Sequence, residues 1–137
     1  MATPIFLDTG YIVALVNNRD QYHAQASNLA DRCDGELFLT TDAVLLEIGN
    51  ALSRSHKSSA IEILKHLLQD ESTTIVHLTP EWLKIAFDRY QHYQDQQWGL
   101  VDFFSFVVME RYKLQRVLTF DQHFAQAGFQ VLATDRA

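Results

Sequence analysis

Four acids in this chain stand where a bare carboxylate has little structural reason to be. They are Asp8 in IFLDTG, Glu47 in TTDAVLLEIGNAL, Asp102 in GLVDFFSFVVM and Asp121 in VLTFDQHF. Three lie within apolar stretches and the fourth closes one. Dehydrating a carboxylate is costly, so buried acids are normally paired. One helical turn to either side, Asp102 meets Trp98, Gly99, Ser105 and Phe106, and Glu47 meets Ala43, Val44, Asn50 and Ala51, with no cation among them. Acids gathered from distant parts of a chain without a matching cation suit a hard divalent ion such as Mg²⁺ or Mn²⁺, and hence phosphate chemistry. Crowding should also lift at least one carboxyl above its ordinary titration range when no metal is bound.

Singly, each acid has a plainer explanation. Asp8 and Asp121 can cap helices, Asp102 can sit in a first turn favoured by the helix dipole, and Glu47 can flank an amphipathic stripe. The combination makes the metal reading stronger than any one of them. Thr9 and Thr119 lie close enough in sequence to orient these carboxylates or a metal-bound water, although ordinary turn or strand roles fit them equally well. The six histidines contain no HxH or HExxH spacing, and His23, His92 and His123 read as surface or packing residues. There is no glycine-rich phosphate loop, so no nucleotide cofactor is indicated, and no nucleophile elbow surrounds a Ser or Cys. A phosphatase using Asp8 as nucleophile, or a signalling receiver domain, would want a second acid nearby, and Gly10 stands two residues on.

The elements that must position these groups alternate between two periods. Strands are expected at Pro4–Leu7, Glu36–Thr40, Thr73–Leu78, Arg116–Phe120 and Phe129–Leu132. Helices are expected at Thr9–Val16, at Asp20–Arg32 with Ala24, Leu29 and Ala30 inward, from a Thr41 or Asp42 cap to about Ser55, and at Ser59–Gln69. Another runs from Pro80 to about Gln94 with its proline in the first turn, Leu100–Tyr112 is apolar nearly all round and therefore central, and Asp121–Ala127 is short. This alternation implies an α/β fold, a three-layer α/β/α sandwich with a mainly parallel central sheet. Ligands of such sheets bind beyond the carboxyl ends of the strands. Asp8 and Asp121 each follow a strand there, and Glu47 lies in the second turn of a helix leaving a third.

The chain has 137 residues, enough for one domain over residues 1–137 with a substantial core. Its net charge of −6 has the wrong sign for a nucleic-acid binder, but four of the acids form the proposed metal set and bound cations would offset them. Arg54, His56 and Lys57, and Arg111, Lys113 and Arg116, could meet phosphates, although solvated helix ends are the plainer reading. MATPIFLD lacks the basic and long apolar segments of a secretory leader, and the longest apolar run is too short to span a bilayer. With the lone Cys33, a reducing cytoplasm is expected.

Five segments in their order carry a resemblance: FLDTGYIVAL, His23–Ala26, LTTDAVLLEIGNAL, VDFFSFVVM and LTFDQHFAQAGFQVL. The chain resembles the PIN-domain ribonucleases, and among them the small VapC-type toxins of toxin–antitoxin pairs, over roughly residues 4–132. The resemblance places the family's acidic quartet on Asp8, Glu47, Asp102 and Asp121. It implies a Mg²⁺- or Mn²⁺-dependent endoribonuclease, often a homodimer, inhibited by a cognate antitoxin. Hydrolysis by water would leave a 5′-phosphate and a 3′-hydroxyl. The alternative is an inert PIN-like module that only binds protein. One departure stands out: the Ser or Thr common before the helix acid is replaced here by Trp98-Gly99-Leu100-Val101.

Overall fold

A computed structural model describes residues 3–94 and 96–133. Its elements run β1 (Ile5–Leu7), α1 (Thr9–Val16), α2 (His23–Arg32), β2 (Phe38–Thr41), α3 (Asp42–Leu52), α4 (Lys57–Gln69), β3 (Thr73–Val76), α5 (Pro80–His92), α6 (Leu100–Arg111), β4 (Arg116–Leu118), α7 (His123–Gln126) and β5 (Gln130–Val131). The five strands form one sheet in the order β3-β2-β1-β4-β5, and every pairing is parallel. The expected α/β sandwich is therefore present, with an all-parallel sheet.

Strand β1 is the centre. Ile5, Phe6 and Leu7 are all buried, as a strand covered on both faces requires. Phe6 is paired with Leu39 on one side and Val117 on the other. From β1 the chain winds outward through β2 to β3, then crosses back to β4 and β5. Right-handed crossovers place α1–α4 on one face and α5–α7 on the other. The order reverses between β1 and β4, which opens a crevice at the carboxyl ends of those two strands. The Asp8 N–H donates to the Leu118 carbonyl at 3.1 Å, so the β1–β4 ladder reaches the first acid. Thr40, fully buried, donates its hydroxyl to the Leu7 carbonyl at 2.8 Å and ties β2 to the same end.

Helix α6 is the apolar spine of the second layer. Its residues 103–109 are consecutively buried, as its all-round hydrophobicity predicts. Phe103 and Phe106 join Trp98, Phe124 and Phe129 in edge-on and tilted contacts 5.1–6.0 Å apart. Helix α6 ends shortly before β4 begins, so it runs antiparallel to that strand and its first turn lies at the carboxyl end of the sheet.

Several boundaries move inward from the sequence expectation. Helix α2 begins at His23 rather than Asp20, because residues 17–22 form turns in which Asp20 Oδ1 accepts the Tyr22 N–H at 2.8 Å. The shift also changes its inner face: Ala24 is exposed and Ala26 is buried beside Leu29, with Ala30 half-buried. Helix α7 starts at His123, which leaves Asp121 in the preceding loop. Arg116 opens β4 and meets Glu36 at 3.2 Å, so it is not a solvated helix end. Among the described residues, no helix is long and apolar enough to cross a membrane.

Candidate active site

Each acid reaches the crevice from a different element. Asp8 follows β1 at the N-cap position of α1, with an extended backbone but no side-chain cap bond. Its carboxylate turns across the sheet, where Oδ2 accepts the Thr119 hydroxyl at 2.7 Å. The same Thr119 oxygen accepts the Asp121 N–H at 2.9 Å, so one buried hydroxyl ties the acid after β1 to the loop after β4. Glu47, on the inner flank of α3, accepts the Thr9 hydroxyl at 2.9 Å. Thr9 is thus chained to Asp8 through the backbone and to Glu47 through its side chain. Both threonine hydroxyls donate to carboxylates of the predicted set.

Asp102 is the third residue of α6, where the helix dipole favours an acid. Its Oδ2 accepts the Gly99 N–H at 3.0 Å. The backbone at Gly99 supplies a polar contact in the segment where the resemblance leads one to expect a Ser or Thr. Trp98 turns aside, donating its indole N–H to Gln126 at 3.2 Å.

His123, read from the sequence as a surface or packing residue, lies against two of the acids. Its Nδ1 lies 2.9 Å from Asp102 Oδ2 and 3.3 Å from Asp121 Oδ2. Its backbone N–H also donates to Asp121 Oδ1 at 2.9 Å. The signal was the Asp121-Gln122-His123 spacing at a helix start, which sets the imidazole beside the carboxylate. The partner across the crevice, Asp102, is 21 residues away in sequence and was not legible. By contrast, His92 is exposed, and His23 packs with Nδ1 2.8 Å from the Ala14 carbonyl oxygen.

Exposure grades across the group. The side chain of Asp102 is 19 % exposed, that of His123 26 % and that of Asp121 40 %, so the cluster opens to solvent at Asp121. Asp8 is half-buried, and its pKa is raised to about 6. Burial is the leading cause; the Thr119 hydroxyl and the Thr9 N–H oppose it, and the charges of Asp102 and Asp121 add to it. The expected lifted carboxyl is therefore present, but dehydration outweighs crowding as its cause. The electrostatic contribution nevertheless places Asp8, Asp102 and Asp121 in one another's field.

Donor atoms of Asp102, Asp121 and His123 lie within 4.8 Å of one another, close enough to share one ion. Oxygen donors dominate, which suits a hard cation. An apolar cavity of about 430 Å³ lies between α1, α2, α4 and β2, and none of the four acids lines it. The site is instead open, continuous with a depression of about 740 Å³ lined by Thr9, Gly10, Tyr22, Phe120 and Asp121 among others.

Thr119 offers a direct test of this arrangement. Thr119→Val should weaken Mn²⁺ binding by roughly 10- to 100-fold, as loss of an orienting partner usually does. It should also cost about 1–3 kcal/mol of stability by leaving the Asp121 N–H without its acceptor. Calorimetric titration with Mn²⁺ and thermal melting would check both, and unchanged Mn²⁺ affinity would show that Thr119 is only a structural residue.

Comparison with known proteins finds relatives over nearly the whole chain. The 23S rRNA-specific endonuclease VapC20 of Mycobacterium tuberculosis is 27 % identical over 125 residues, covering 91 % of this chain and 95 % of that protein. The crystal structure of M. tuberculosis VapC20, described as a sarcin–ricin loop cleaving toxin, superposes with a TM-score of 0.86 at 24 % identity, over 95 % of this chain and 99 % of that one. The PIN domain model matches residues 5–130, nearly the whole chain, and the chain accordingly belongs to the PIN-domain family.

Proposed function

We propose that this chain is a metal-dependent endoribonuclease, the toxin of a toxin–antitoxin pair, and that residues 1–137 act as one domain. The observation that supports this reading is the pairing of Asp102 and Asp121 donor atoms, with Asp8 linked to the Asp121 loop through Thr119 and Glu47 to Thr9. The named activity of VapC20 supports it.

Asp8, Asp102 and Asp121 would hold one or two Mg²⁺ or Mn²⁺ ions, with Glu47 as a further ligand or an anchor. A divalent ion held there would supply a more acidic water and positive charge for the attacked phosphate. The protein's own groups set the stage. Thr119 and Thr9 fix the carboxylate directions, and the backbone at Gly99 orients Asp102. The His123 ring lies between Asp102 and Asp121, 2.9 Å and 3.3 Å from their Oδ2 atoms, and fixes their relative positions. Asp8 sits half-buried on the inner side, and the open side at Asp121 admits a phosphodiester.

A homodimer and a cognate antitoxin belong to the same reading. Leu83, Phe87 and Tyr90 recur at helical spacing on α5 and are exposed, as is Tyr93 just beyond it. Such a stripe suits a protein partner. A cytoplasmic location fits an RNA substrate and the buried free Cys33.

The test is the chemistry of the cut ends. Purified protein with Mn²⁺ and 23S rRNA, the substrate in VapC20's name, should yield 5′-phosphate and 3′-hydroxyl ends. A 2′,3′-cyclic phosphate would mean that the ribose 2′-hydroxyl attacked, which contradicts hydrolysis by water.

A further inference from the structure

The depression beside the acids has an aromatic wall that the hydrolytic chemistry does not use. Tyr22, the residue before α2, stacks on Phe120 with ring centroids 4.5 Å apart and planes 9° from parallel. Phe120 in turn leans on the buried Tyr11 at 6.4 Å. The three rings form a short ladder, buried at Tyr11 and 36 % exposed at Tyr22. Tyr22 is held by its own backbone: its N–H donates to Asp20 Oδ1 at 2.8 Å, and its carbonyl accepts the Ala26 N–H at 2.9 Å. An exposed tyrosine fixed in this way loses little freedom on binding.

The ladder is adjacent to the acids. Phe120 directly precedes Asp121, and both rings line the same depression as Thr9, Gly10 and Asp121. Between them, Gly10 leaves open space: a Cβ there would meet nothing within 4 Å. Unpaired RNA bases are recognised by stacking on aromatic side chains, a contact that tolerates any base because each has a π-face.

We propose that the Tyr22–Phe120 stack is a base-stacking subsite, taking the unpaired nucleotide next to the RNA phosphate held at the acids. It rests on the ribonuclease reading above. The subsite extends the Tyr11–Phe120–Tyr22 ladder by one ring and sets the register of the strand over Asp121.

The test uses a single-stranded RNA hexamer carrying one 2-aminopurine, with Ca²⁺ in place of Mn²⁺, and reads quenching as the base stacks. The wild type should bind and quench, and Tyr22→Phe should match it within about twofold. Tyr22→Leu keeps an apolar cover on Phe120 and should preserve Mn²⁺ binding, yet lose about tenfold in RNA affinity together with the quenching. Tyr22→Ala should behave likewise; if it fails to fold, the Leu and Phe variants carry the comparison. Wild-type quenching and affinity in Tyr22→Leu would overturn the subsite and leave the ribonuclease reading standing. No RNA binding or quenching by the wild type would also overturn the subsite, whereas the ribonuclease reading stands or falls on cleavage of 23S rRNA.

Discussion

Asp8→Asn is expected to make the metal-free protein more stable at pH 7 and inactive toward RNA. Burial raises the Asp8 pKa from 3.8 to about 6, so the ionised carboxylate at neutral pH opposes folding. The raised value means that the folded state holds the proton more tightly than the unfolded chain. The penalty is therefore absent below about pH 4, grows between about pH 4 and 6, and is complete above that. A shift of this size corresponds to roughly 3 kcal/mol. Asparagine removes the charge and can still accept the Thr119 hydroxyl, so a gain of about 2 kcal/mol, or roughly 5–8 °C in Tm, is expected at pH 7. Melting curves at pH 4 and pH 7 would check it, because the gain should vanish at the lower pH. Saturating Mn²⁺ should reverse the order, adding about 3 kcal/mol to the wild type at a hundred times its dissociation constant and little to the variant. Equal melting of the two proteins at pH 7, with and without Mn²⁺, would mean that Asp8 is a solvated cap.

Asp102→Asn should reduce RNA cleavage by on the order of 10²- to 10³-fold or more, the scale of losing one group that stabilises developing charge. Stability should change little. The asparagine loses a favourable first-turn charge worth about 0.3–1 kcal/mol, and relief of repulsion with Asp8 and Asp121 opposes that loss. Its oxygen can still accept the Gly99 N–H, so the start of α6 should persist. If Asp102 were only a dipole-favoured acid, the variant would melt lower and cleave normally. Single-turnover cleavage with a parallel melting curve separates the two cases.

The features that were legible in the sequence share one property: each is read from neighbours along the chain. Helix α1 runs over Thr9–Val16 as expected, because a buried strand and an Asp set its start. Helix α6 announces its central place by having no polar face. Parallel connectivity follows from the alternation of periods, and it brings Asp8 and Asp121 to one edge. What was missed depends on contacts between distant residues. The Thr119 hydroxyl joins Asp8 across 111 positions, and His123 joins Asp102 across 21. Ala24 turned outward because a side chain–backbone turn at Asp20 delayed α2, which rotated the helix face. Ile61 and Leu68 fall at apolar positions in the periodicity of α4 yet are exposed, because periodicity identifies a stripe without saying what covers its flanks. The cause of the Asp8 shift also needed the structure, since depth, unlike crowding, cannot be read from spacing.

Metal-dependent cleavage is the claim on which the rest depends. Purified protein stripped of metal should leave 23S rRNA intact, cut it when Mn²⁺ or Mg²⁺ is added, and stop when EDTA is supplied in excess. Cleavage that persists at full rate in EDTA, or that survives Asp102→Asn, would contradict the account and point to a contaminating or metal-independent nuclease.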